Sequence, residues 1–229
     1  MHEIQILYED NHLIAVNKQV SDIVQGDRTG DMSLDQKLKE FIKTRDNKPG
    51  NVFMGIPHRL DRPVSGVVVF TKTSKALSRM TGLFREKEVE KVYYAIVKNR
   101  PAELEGRLVH YLTRNTKQNK AYCHDKFVKG SKEASLQYSL IGSSDRYHLL
   151  EVLLETGRHH QIRAQLSAIG CPIKGDIKYG ADRTNKNGGI SLHAGKIAFT
   201  HPVKKISLAV RASFPRDDIY NVFDIDMEK

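Results

Sequence analysis

The chain has 229 residues, of which 39% are hydrophobic and 28% charged, enough for one substantial core and outside the depleted composition of disordered chains. A formal charge of +10 favours an acidic partner, with nucleic acid first among the polyanions, although a basic solvated surface accounts for the charge equally well. Cys123 and Cys171 are too few for a disulfide framework and lack the paired spacing of a zinc site, so no structural metal is implied.

The opening ILYEDNHLIAVNK reads as a hairpin or strand pair carrying Ile6, Leu13, Ile14 and Val16. It has acids where a signal peptide needs positive charge, and no apolar run approaches the ~20 residues that span a bilayer. A cytoplasmic protein with no membrane contact is expected. SLDQKLKEFIKTR sets Leu34, Leu38, Phe41 and Ile42 at helical spacing behind Ser33 as N-cap. The stretch IPHRLDRPVSGVVVFTK at 56–72 places Asp61 between two arginines just before a run, Val67–Phe70, that reads as a buried strand. A second amphipathic helix follows in TSKALSRMTGLFREK, capped by Thr73 or Ser74. EKVYYAIV, ASLQYSLI, YHLLEVLLET, ISLHAGKIAFTHP and KISLAVRASFP are β-branched or aromatic and read as strands. Between them RHHQIRAQLSAIG forms a third helix with Gly170 at its C-terminal stop. No linker divides the chain, so one folded unit is expected. Strands that outnumber helices without alternating with them predict an α+β fold with a long, largely antiparallel sheet.

Three segments, HRLDRPVSG, KVYYA and TGRHHQIRAQL, hold polar groups where a core prefers none. Arg163 lies early in an inward-facing helix, and a buried arginine needs a carboxylate. With no GxGxxG and no GxxxxGK[ST], no nucleotide cofactor is expected. His159, His160, His193 and His201 lack the carboxylate or cysteine that completes a metal set, and neighbouring helical histidines point about 100° apart.

Taken together, HRLD at 58–61 with Ser65 and Gly66, KVYYAIV at 91–97, TGRHHQIR at 156–163, and LHA at 192–194 with HP at 201–202 make the sequence resemble the RluA family of RNA pseudouridine synthases. HRLD alone occurs often by chance; four motifs in one order do not. The resemblance implies the pseudouridine synthase fold, a mixed and mostly antiparallel bent sheet flanked by helices with a central catalytic cleft. It also implies a single catalytic domain over 1–229 without the N-terminal S4 domain of many relatives. The implied reaction converts uridine to pseudouridine in rRNA or tRNA with no cofactor, metal or obligatory protein partner. By the family pattern Asp61 is the catalytic carboxylate, acting on the sugar carbon or on a ribose proton, and Arg163 is the cation that keeps it ionised. Tyr93 packs against the base and serves in proton transfer; Tyr94 would face the other side of its strand. Arg59 resembles the residue inserted when the base leaves the stack. His58, Arg158 and His159 are candidate RNA contacts, and Leu192 opens a strand lining the cleft.

The chain departs from the family at two places. Pro63 and Val64 stand where an acid and a threonine are common, and KQVSDIVQG replaces the usual Lys-Pro-x-Gly turn. The second change bears on the geometry after the N-terminal hairpin. Arg114–Lys132, polar and lysine-rich, reads equally as an RNA-gripping insertion and as a solvated loop. Two other functions compete: a non-catalytic RNA-binding protein on the same scaffold and a hydrolase of the glycosidic bond. Retention of Asp61, Tyr93 and Arg163 argues against mere binding, because an ionised acid obstructs an anionic ligand.

Overall fold

A computed structural model describes residues 4–27, 30–215 and 219–223. Among them ten strands and three α-helices form in the order β1 (Ile6–Glu9), β2 (Leu13–Lys18), α1 (Leu34–Arg45), β3 (Ser65–Thr71), α2 (Ser74–Arg85), β4 (Glu90–Val97), β5 (Glu105–Asn115), β6 (Lys120–His124), β7 (Lys132–Ser143), β8 (His148–Leu154), α3 (Gln161–Ala168), β9 (Leu192–Thr200) and β10 (Ser207–Arg211). Short 3-10 turns occupy Ile177–Tyr179 and Ile219–Phe223. This is the α+β chain the strand-rich pattern predicts. It divides into two compact units, one running to Val89 and including Lys196–Ser213, the other holding Glu90–Gly195 and the segment from Phe214.

In the first unit β1, β2 and β3 pair antiparallel in sequence order, with Leu13–Lys18 opposite Thr71–Gly66. Both β2 and β3 are buried along their whole length, which explains the unbroken apolar runs LIAV and VVVF. Helix α1 begins behind Ser33, whose N–H donates to Gln36 Oε1 at 3.0 Å, and it buries Leu34, Leu38 and Ile42. Each of those side chains contributes about 2 kcal/mol through the area it removes from water. Thr73 caps α2 by accepting from the Ala76 N–H at 3.2 Å. Strand β10 pairs antiparallel with the Lys196–Thr200 part of β9.

The second unit is a strand array in the order β4-β8-β7-β5-β6, and each of these pairs is antiparallel. Helix α3 covers one face, where Leu112, Ala121, Ala134, Ala164 and Tyr179 pack together. A separate cluster of Ile96, Leu149 and Tyr220 gathers Tyr94 and Phe214. The segment 114–132 is not a plain loop: Arg114 and Asn115 end β5, and Lys120–His124 form β6, pairing back on Tyr111–Asn115. No range for β5 or β6 was read from the sequence: charged residues alternate at the start of β5, and KAYCH is too short to stand out.

Candidate active site

Asp61 is half-buried and sits where the chain enters β3. Several contacts fix that entry. Upstream, Gly55 bridges to Thr71 so closely that a Cβ would lie 2.3 Å from Thr71 Oγ1. The His58 ring accepts the Val69 N–H at Nε2, 2.9 Å away, and stacks on Phe84 with centroids 4.9 Å apart. Leu60 turns into the core, 8% exposed. The Val64 N–H donates to Asp61 O at 3.1 Å, closing a turn over Arg62 and Pro63.

Beneath this turn lies Lys18, fully buried at the end of β2. Its ammonium donates to Gln19 O at 3.0 Å, Arg62 O at 3.1 Å and Val64 O at 2.6 Å. Burial pulls its pKa down to about 7, against the nearby negative charges of Asp22 and Asp61, which favour the ammonium. The Ser21 N–H also donates to Arg62 O, at 3.1 Å. The unusual KQVS turn thus holds the Asp61 loop. Ser21 adopts φ +76, a left-handed conformation that glycine takes more readily.

In the second unit the loop before α3 is locked by Gln161. Its Oε1 accepts from Thr156 Oγ1 at 2.8 Å and from the Arg158 N–H at 2.9 Å, while its Nε2 donates to Ser135 O at 3.0 Å. Arg158 Nε donates to Glu133 O at 2.9 Å. His160, the N-cap, has φ 52, with Nδ1 2.9 Å from Tyr179 Oη, and His159 stacks on it with centroids 3.8 Å apart. Arg163 is 5% exposed and meets Asp176, 2% exposed, through Nε to Oδ2 at 2.6 Å and Nη2 to Oδ1 at 2.8 Å. A two-bond pair of this kind satisfies both charges in a dry setting. The Tyr179 ring lies beneath the guanidinium, 5.0 Å from it. Tyr93 is 8% exposed on β4, while Tyr94, one residue on, joins Phe214 across the strand at 5.2 Å. Beside the Thr156–Arg158 loop, burial lowers Lys91 to about 8, with Nζ 3.9 Å from the place of a Cβ on Gly157.

His58, Arg59 and Asp61 therefore share one loop of the first unit; Arg59 is exposed, with Nη1 donating to Gln25 Oε1 at 3.4 Å. Tyr93, Arg158, His159, Arg163 and Leu192 belong to the second unit, Leu192 buried at the start of β9. His201 is structural: buried, it accepts the Val203 and Lys204 N–H groups at Nδ1. Sequence reasoning missed Asp176 and Tyr179, carried Lys91 in the KVYYA motif without a role, and met Lys18 only as the start of a divergent turn. The glycines flanking the acid in KGDIKYG were the signal that could have found Asp176.

The human protein named RNA pseudouridylate synthase domain containing 4 superposes with a TM-score of 0.78 at 24% identity, covering 93% of this chain and 89% of its own. The family described as RNA pseudouridylate synthase matches residues 12–168. The chain belongs to this family, whose chemistry is the isomerisation of uridine in RNA. It is 32% identical to tRNA pseudouridine synthase C of Pasteurella multocida, over 98% of each chain. It is also 31% identical to ribosomal large subunit pseudouridine synthase C of Rickettsia prowazekii, over 92% of this chain and 68% of that one.

Proposed function

We propose that this cytoplasmic enzyme converts specific uridines of structured tRNA or rRNA to pseudouridine, with Asp61 as the catalytic carboxylate and Tyr93 and Arg163 as its partners in the reaction. The bond from base N1 to ribose C1′ breaks, the uracil turns, and C5 bonds to C1′. The C5 proton leaves to solvent and N1 gains one, so the product has the mass of the substrate. The observation that carries this reading is the anchoring of the Asp61 loop, fixed by Lys18, Ser21 and His58 around a half-buried carboxylate. Such rigidity suits a group that must be held against a reacting atom.

Arg59 takes the place left when the uridine is turned out of its stack, and its exposure supports that role. His58 serves through the loop it positions. Both substrate classes carry the names of relatives, and tRNA comes first because the chain spans more of the tRNA-named ones. Unmodified tRNA and large-subunit rRNA, incubated with the protein and digested to nucleosides, test the reading. Loss of uridine with a matching gain of pseudouridine at unchanged mass is expected in tRNA. Abasic sites would replace isomerisation by hydrolysis, and conversion in rRNA alone would reverse the preference.

A further inference from the structure

The solvent face of the β5–β6 ribbon carries exposed aromatic rings in a lysine-rich stretch. Leu112, Ala121 and Cys123 turn toward α3. Directly paired residues share a face, so Tyr111 with His124 and Thr113 with Tyr122 point the other way, while the Lys120 ammonium lies 5.2 Å from the Tyr179 ring. Thr113 Oγ1 lies 3.0 Å from His124 Nε2 across this face. Tyr122 is 40% exposed and Phe127 68% exposed, the latter set edge-on to Tyr111 with centroids 6.0 Å apart. Lys120 Nζ lies 5.6 Å from the Tyr122 ring.

The Tyr122 ring is held in place. Tyr122 Oη donates to Gln118 Oε1, and Lys178 Nζ donates to the Gln118 and Asn119 carbonyls at 3.3 and 3.1 Å, pinning the hairpin turn. After Phe127 the chain closes a turn in which the Ser131 N–H donates to Val128 O at 2.9 Å. Around the rings the charge is one-sided: from Arg114 to Lys132 there are six cations and a single acid, Asp125. Single exposed apolar residues are ordinary on any surface, but aromatic rings among cations on a strand face are the arrangement on which unpaired bases stack while phosphates meet lysines.

We propose that this face binds a single-stranded stretch of the RNA substrate, stacking unpaired bases on Tyr122 and Phe127 with Arg114, Lys117, Lys120 and Lys126 along the phosphates. It deepens the functional reading and rests on RNA being the substrate. A paired A-form stem does not fit, because its bases are already stacked and its edges recessed. An acidic protein partner would match the lysines and leave the rings unexplained.

The test compares the parent with the Tyr122→Ala, Phe127→Ala double variant and with Tyr122→Phe. Both are first checked for the parent's circular dichroism and melting curve. Labelled oligouridine, a fully paired hairpin RNA, anionic vesicles and unmodified tRNA are the probes. The double variant binds oligouridine about ten-fold more weakly or worse. It keeps the parent's affinity for the paired hairpin, and on tRNA its KM rises while kcat stays unchanged; Tyr122→Phe behaves as the parent. Unchanged oligouridine affinity overturns the proposal, as does an equal loss on the paired hairpin or a loss confined to vesicles. If the parent makes no pseudouridine, the functional reading falls, and the oligouridine and hairpin affinities still decide the fate of this face.

Discussion

Lys18 offers three N–H donors to three backbone carbonyls, two of them in the turn that follows Asp61. Only the ammonium form fills all three, since a neutral amine has two N–H groups. Lys18→Met keeps the volume and leaves the carbonyls buried without a donor, so a loss of about 1–3 kcal/mol and a lower kcat are expected. The pH dependence has a definite sign. The unfolded chain keeps this proton up to its ordinary 10.5, the folded chain releases it near 7, and between these values the unfolded state binds more protons. The parent's advantage over Lys18→Met therefore widens as pH rises from 7. Melting curves at several pH values check this, and equal curves for both proteins would contradict it. Asp61 stood out in the sequence through HRLD, whereas Asp176 did not: an acid in a turn has no periodicity to betray its burial, and Arg163 already had a carboxylate assigned to it by the family pattern. The structure adds the second acid.

The helices were legible because their caps are local chemistry. Ser33 with Gln36 and Thr73 with Ala76 are bonded as their spacing predicts. The divergent turn after β2 shows how a fold survives sequence change. Its backbone places Ser21 in the left-handed region, φ 76, and the Gln19 N–H donates to Asp22 Oδ2 at 3.3 Å. An exposed serine there gains no packing for its strain. Ser21→Gly is expected to raise stability by up to about 1 kcal/mol, measured as a higher Tm. A lower Tm would mean that the side chain itself supports the loop. Strand β5 escaped the reading because its inward residues, Leu108, His110 and Leu112, alternate with Arg107, Val109 and Tyr111, and β6 because it is only five residues long. Composition there suggested a loop, while pairing with β7 made a strand.

The strand-rich α+β character of the whole chain followed from counting apolar and β-branched runs, and the order of four motifs carried the family. The division into two compact units left no trace in composition. One crossing falls inside β9, between Gly195 and Lys196, where a continuous strand shows no linker. The net charge of +10 was visible, and its densest stretch, Arg114–Lys132, already stood out as a candidate RNA contact; the structure adds that Tyr122 and Phe127 within it are exposed. Among the described residues no helix is long and apolar enough to cross a membrane. What decides the account is tritium release from tRNA carrying 5-tritiated uridine, with the parent and Asp61→Asn measured side by side. Forming the C5 to C1′ bond must expel the label, so release by the parent and none by Asp61→Asn, with RNA binding intact in both, is the predicted result. Equal release by both proteins would remove Asp61 from the chemistry and contradict the account.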